Sequence, residues 1–186
     1  MSAQLSRSAL LIMDVQQGII ERVPDQEAFL ARNKQAIAYA HQNNILVILV
    51  VVGFRSTTIE VSASNKMFTT IKQNANPGFI DPKPLIIPQN NDIVVTKRRV
   101  SAFSGSDLDV ILRAQHIQHL ILGGISTGGV VLSTVREAAD KDYTITILSD
   151  LCFDADQEVQ DILLNKVFLR QAEVMTTEEW KETMKT

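Results

Sequence analysis

Six short apolar runs punctuate the chain: Ala9–Met13, Ile45–Val52, Ile93–Thr96, Leu120–Leu122, Thr144–Leu148 and Glu173–Met175. Most are continuous rather than alternating, the pattern of strands covered on both faces. Amphipathic stretches lie between them. Asp25 can N-cap a helix whose inner face carries Phe29, Leu30, Ala36, Ile37 and Ala40. Ser106 with Asp109 reads as a capping box ahead of Leu108, Ile111 and Leu112, and Thr176 with Glu179 repeats that signal before a C-terminal helix. The spacing also predicts helices over Val130–Ala139 and about Asp156–Phe168, the latter burying Val159, Ile162, Leu163 and Val167. Strand, helix, strand, repeated, predicts an α/β fold with a parallel sheet and right-handed crossovers.

One region breaks this rhythm. Four of the five prolines (Pro77, Pro82, Pro84 and Pro88) fall between Asn76 and Asn91. With Arg55–Asn74 they read as one long loop between the second and third strands, and loops of that length are usually functional or mobile. The chain has 186 residues, 45% hydrophobic and 21% charged, which fits a single globular domain over 1–186. Eighteen basic against twenty-one acidic residues give a net charge of -3, against a broad nucleic-acid footprint. The longest apolar run is far short of the ~20 residues that span a bilayer, so no membrane association is expected. With no secretory signal evident, a cytoplasmic location is expected. The single cysteine, Cys152, excludes an internal disulfide and a multi-cysteine zinc site.

In open α/β sheets, ligands bind beyond the carboxyl ends of the strands. That rule selects Asp14-Val15-Gln16-Gln17, Gly53-Phe54-Arg55, Lys97-Arg98-Arg99, the glycine-rich Gly123–Val131 and Ser149–Cys152. Asp14 follows a buried strand directly, with no helix for ten residues. An Asp and a Lys converging at one sheet edge would form a desolvated pair able to hold a carboxylate ready for proton transfer. The plain alternative is a turn residue and a lysine that snorkels to solvent. Four of the eight glycines lie between Gly123 and Gly129, ahead of a helix, where backbone N–H groups can face an anion or a tight turn can form. The spacing is not that of a dinucleotide fingerprint.

Three blocks together resemble the isochorismatase-like hydrolases, a superfamily that includes nicotinamidases and N-carbamoylsarcosine amidohydrolase. They are Leu10-Leu11-Ile12-Met13-Asp14-Val15-Gln16, Lys97-Arg98-Arg99-Val100-Ser101-Ala102-Phe103 and Gly124-Ile125-Ser126-Thr127-Gly128-Gly129-Val130-Val131. The likeness runs in order along nearly the whole chain, through Glu60-Val61-Ser62 and Ser149–Asp154. It implies a three-layer α-β-α, Rossmann-like fold with a six-stranded, mostly parallel sheet. It also implies an Asp, Lys and Cys site, with the Asp on Asp14, the Lys on Lys97 and the Cys position on Val130. A cis peptide would join Ile125 to Ser126, with the N–H groups of Ser126 and Val130 facing a developing oxyanion. Ser126, Thr127, Gln16, Arg55 and Phe103 are the implied substrate-binding candidates, and Arg98 and Arg99 could also hold a substrate carboxylate. No cofactor and no metal are expected, since the nicotinamidase ligands have no counterpart in Phe54–Glu60. The family habit implies a homodimer or homotetramer acting on a small-molecule substrate.

Val130 cannot attack a carbonyl, so the thioester route of the amidase branch lacks its nucleophile. Cys152 lies past a different strand and reads as a small packing residue. The family offers a thiol-free precedent in isochorismatase, where an Asp protonates a vinyl ether, water adds and pyruvate leaves. Asp14 suits that acid role only if burial outweighs the pKa-lowering effect of Lys97. The segment Ser126–Val131 differs from that of true isochorismatases and resembles a branch with small or aliphatic residues there. The expected activity is therefore hydrolysis of a small organic substrate by Asp14 and Lys97. The alternatives are a catalytically idle binding member and an amidase with a relocated nucleophile.

Overall fold

The computed structural model describes residues 7–73, 77–89 and 91–183. Six strands form one sheet: β1 (Ser8–Met13), β2 (Leu46–Val52), β3 (Ile93–Lys97), β4 (His119–Ile125), β5 (Thr144–Phe153) and β6 (Glu173–Met175). Their order is β3-β2-β1-β4-β5-β6 and every pairing is parallel. The helices are α1 (Gln26–Gln42), α2 (Lys66–Gln73), α3 (Leu108–Ala114), α4 (Leu132–Asp140), α5 (Gln157–Ile162) and α6 (Thr177–Thr183). No helix among the described residues is long and apolar enough to cross a membrane.

The continuous apolar runs follow from this layering. Along β1, Leu10 and Ile12 belong to a core shared with Phe29, Ala36 and Ile37 of α1 and Trp180 of α6. Ala9, Leu11 and Met13 face a second core with Leu108 and Leu112 of α3 and Val135 and Ala138 of α4. Alternate residues thus point to opposite faces, and both faces are dry. The order in which strands are added to the sheet reverses between β1 and β4, so a crevice opens beyond Met13 and Ile125.

Local signals explain most boundaries. Asp25 accepts the Ala28 N–H at 3.0 Å and starts α1. The Thr176 hydroxyl accepts the Glu179 N–H at 3.2 Å while the Glu179 carboxylate accepts the Thr176 N–H at 2.7 Å, a reciprocal box at the start of α6. The Ser106–Asp109 box does not form. Asp107 occupies the cap position without a side-chain bond, Ser106 donates to the Ala102 carbonyl at 2.6 Å, and Asp109 is drawn to Arg113 and Lys141.

Three further expectations are corrected. The connection between β2 and β3 is not all loop: it folds α2, which buries Phe68, and a helical turn over Pro77–Phe79. The stretch Asp156–Phe168 divides into α5 and a wider π turn at Leu163–Val167, which brings Leu163 into the core. β5 runs on to Phe153 because a bulge shifts its register against β4, so that Gly124 and Ile125 pair with Cys152 and Phe153.

Candidate active site

Asp14 ends β1 with a left-handed backbone, φ 59°, a conformation that Asp tolerates better than most residues. Its N–H donates to the Val50 carbonyl at 2.8 Å, fixing the turn against β2. Lys97 ends β3, two strands away across roughly 10 Å of sheet. Its long stem covers that gap, and Nζ lies 2.9 Å from Asp14 Oδ2 and donates to the Arg99 carbonyl at 3.0 Å. The two side chains are only 7% and 2% exposed. Asp14 Oδ1 is buried and makes no hydrogen bond.

Burial dominates the electrostatics. It pushes the Asp14 carboxyl up from 3.8 to about 6, although the charge and hydrogen bond of Lys97 pull the other way. The carboxyl therefore stands close to neutral pH, where a group can both release and recover a proton.

Beyond β4 the Ile125–Ser126 peptide is cis, at the place the resemblance implies. A single π turn, Thr127–Val131, follows and leads into α4. The Asp154 carboxylate accepts the Gly128 N–H at 2.7 Å and holds this turn to the end of β5. A Cβ at Gly129 would sit 2.8 Å from the Ser126 hydroxyl, which would have to turn away.

These segments enclose a cavity of about 60 Å³. Asp14, Lys97, Ser126, Gly129 and Val130 form its polar end, with Ile19, Val52, Phe68, Ile71, Phe79 and Ile125 as apolar wall and Arg22 at its edge. A larger depression, about 640 Å³, lies at the opposite, amino-terminal edge of the sheet around the 2.6 Å His41–Asp92 pair. The smaller cavity is the candidate site. It lies at the carboxyl ends of the strands, where ligands bind in open sheets, and it contains the buried ion pair.

The structure brings Asp14, Lys97, Val130 and Ser126 together and leaves the other sequence candidates outside the cavity lining. Gln16 is fully buried and spent on the backbone: its amide donates to the carbonyls of Val52 and Gly78 and accepts the Val52 N–H. Arg55 is exposed and paired with Glu60 at 3.3 Å. Phe103 packs against Tyr143, with Lys141 over its ring, in the core on the other face. Thr127 is fully buried in the turn, its hydroxyl without a partner. Arg98 donates to the Gly53 carbonyl, and Arg99 donates to the carbonyls of Arg98 and Glu60. Both arginines thus tie down the loop after β2.

Cys152 is also outside the cavity lining. It is buried in the same core cluster as Val130 and Leu163, and burial pushes its thiol up to about 12. A thiol held protonated in a dry core is not a nucleophile. Among the described residues, no three His, Cys, Asp or Glu side chains come together as a metal-ligand set. Sequence reasoning missed the roof of the cavity, Met67, Phe68 and Ile71 of α2 and Phe79, and also Arg22. A helical spacing of Met67, Phe68 and Ile71 was the available signal for the roof. The cluster of prolines nearby obscured it.

Comparison with known proteins places this geometry in a family context. A sequence model of the isochorismatase domain matches residues 8–179. The uncharacterized isochorismatase family protein YwoC of Bacillus subtilis is 29% identical over 187 residues, covering 100% of this chain and 98% of that protein. The ureidoacrylate amidohydrolase RutB of Stutzerimonas stutzeri is 27% identical over 184 residues, covering 85% of this chain and 74% of the relative. The structure of an isochorismatase family protein from Burkholderia thailandensis superposes with a TM-score of 0.83 at 25% identity, over 97% of each chain.

Proposed function

Because the chain belongs to the isochorismatase family of hydrolases, we propose that it hydrolyses a small organic substrate without a thiol, using Asp14 as the proton donor and acceptor. One observation carries the reading. Asp14 and Lys97 share a buried cavity with Val130 at the position where the resemblance would put a cysteine, and the chain's one thiol lies outside it.

The chemistry that fits is hydrolysis of a vinyl ether. Neutral Asp14 transfers its proton to the terminal CH₂ carbon, which becomes a methyl group and leaves an oxocarbenium ion. Water adds to that cation and returns a proton to the Asp14 carboxylate, and the hemiketal collapses to a ketone and an alcohol. For an enolpyruvyl ether the products are pyruvate and the parent alcohol, one water being consumed. Lys97 holds Oδ2, leaving Oδ1 to carry the mobile proton. Its positive charge also stabilises the carboxylate after transfer. A positioned general acid contributes on the order of 10²–10⁴ in rate.

The test is pyruvate release from isochorismate, followed through a coupled dehydrogenase, with the wild type and Asp14→Asn. Turnover that falls by roughly 100-fold or more in the variant agrees with the proposal. Absence of pyruvate with the wild type sinks the vinyl-ether reading for this substrate, and undiminished turnover in the variant removes Asp14 as the acid.

A second reading has a specific support of its own: Ser126 lines the cavity, and RutB is an amidohydrolase. An amidase using Ser126 as its nucleophile would lose ureidoacrylate hydrolysis in Ser126→Ala, which the vinyl-ether mechanism does not require.

A further inference from the structure

The candidate cavity is edged by two cations, and only one of them is matched. Lys97 is held by Asp14 and by the Arg99 carbonyl. Arg22 closes the helical turn Ile20–Arg22, is exposed, and its side chain makes no ion pair or hydrogen bond with any described residue. Its neighbour Glu21 accepts the Gly18 N–H at 3.0 Å. The arginines that flank the site elsewhere are all engaged: Arg55 by Glu60, Arg98 by the Gly53 carbonyl, Arg99 by the carbonyls of Arg98 and Glu60.

The turn that carries Arg22 is well anchored. The N–H groups of Ile19 and Ile20 donate to the Gln16 carbonyl at 3.2 and 3.1 Å, and the Val23 N–H donates to the Ile20 carbonyl at 2.9 Å. Ile19, Ile20 and Val23 are all buried. Gln16 is itself pinned to Val52 and Gly78. Arg22 is thus an unmatched guanidinium projected from a fixed backbone to the rim of a cavity walled by Ile19, Phe68, Phe79 and Ile125.

A guanidinium fork suits a planar carboxylate, which it can engage through two parallel hydrogen bonds. The wall accepts an apolar body, and a cavity of about 60 Å³ takes only the short reacting end of a substrate, the remainder of a larger molecule such as isochorismate lying outside it. We propose that Arg22 is the anion-recognition residue of this site, and that its substrate presents a carboxylate on a short apolar or unsaturated carbon chain. The carboxylate rests on Arg22 at the rim, and the chain lies against the aromatic wall with its reacting carbon toward Asp14. This rests on the reading of the Asp14 cavity as the active site and adds the class of substrate to it.

The experiment is a titration of the ¹⁵N-labelled protein with butyrate, its neutral analogue butyramide and inorganic phosphate, at constant pH and ionic strength. Amide shifts are followed for Ser126 and Gly129 in the wild type, Arg22→Ala and Arg22→Lys. Butyrate is expected to move those amides and to bind about tenfold more tightly than butyramide. Arg22→Ala abolishes that preference, and Arg22→Lys keeps only part of it, because a single ammonium cannot reproduce the fork. The spectra report directly that each variant is folded. Equal affinity for acid and amide, a preference that survives in Arg22→Ala, or no cavity shifts with either probe overturns the proposal. Phosphate binding as tightly as butyrate overturns its carboxylate-and-chain part. Asp14→Asn separates the two layers: loss of turnover with the butyrate preference intact assigns both residues, whereas a wild type that turns over normally but binds acid and amide equally sinks the Arg22 assignment alone.

Discussion

Lys97→Met is the most informative single perturbation of this site. Methionine follows the lysine stem through the same packed space but removes the ammonium 2.9 Å from Asp14 Oδ2. In the wild type, burial raises the Asp14 carboxyl to about 6 while Lys97 holds it down. An opposite charge this close ordinarily lowers a carboxyl by about 1–3 units, so the variant's midpoint is expected to rise from about 6 to about 7–9. The structural cost is the Arg99 carbonyl, which loses its donor, worth about 1–3 kcal/mol. Asp14 titration is read from the ¹³C carboxyl signals of Asp-labelled protein. The pH–rate profile gives the same quantity independently: a required acid with a midpoint near 6 is only about 1% protonated at pH 8, and a midpoint near 8 leaves about half. The variant is slower in absolute terms, because Oδ2 has lost the group that orients it, but its plateau extends to higher pH. A midpoint that stays near 6 or falls refutes the argument that burial and Lys97 oppose one another at Asp14.

The remaining expectations draw on the same geometry. A carboxyl raised from 3.8 to about 6 binds its proton more tightly in the folded chain. Its contribution to stability is therefore complete below pH 3.8 and lost as pH rises through 6, about 3 kcal/mol at 1.36 kcal/mol per unit. Urea titrations of Asp14→Asn against the wild type should accordingly show the difference moving in the variant's favour between pH 4 and pH 7, and a difference independent of pH contradicts the raised carboxyl. Gly124→Ala would place a Cβ 2.6 Å from the Met13 carbonyl and 2.9 Å from its Cβ, forcing β1 and β4 apart beside Asp14. A loss of about 1–3 kcal/mol or more is expected in chemical denaturation, and wild-type stability would mean that the two strands are not so closely apposed. Cys152 should resist iodoacetamide at pH 8 in the native protein and react fully in urea, because its thiol is buried and pushed up to about 12. Stoichiometric native labelling that abolishes turnover would restore the relocated-nucleophile reading.

The sequence by itself determined the layering and the pair at its edge. Continuous apolar runs separated by amphipathic stretches leave a parallel sheet with helices on both faces as the one arrangement that keeps Leu10 and Leu11 both dry. Caps that depend on neighbours three residues apart, such as Asp25 and Thr176 with Glu179, were legible for the same reason: their physics is local. Asp14 and Lys97 were legible because a charged residue at the end of a buried strand has few ordinary uses. What only the tertiary structure decided depends on which distant groups compete for a side chain. Gln16 follows Asp14 by two residues and read as a binding residue, but the backbone of Val52 and Gly78 consumes its amide. The Ser106 hydroxyl donates to the Ala102 carbonyl and accepts the Leu108 N–H instead of closing a box with Asp109, and Phe103 was drawn to the far face by Tyr143. Arg55, Arg98 and Arg99 had equal claims as anion binders until Glu60 and nearby carbonyls engaged them. Arg22 lies in a stretch with no periodic signal, and its position at the cavity rim exists only because Ile20 and Val23 bury the turn that carries it. The balance at Asp14 is of the same kind, since burial is a property of the whole fold and no spacing along the chain encodes how much of it a carboxylate receives.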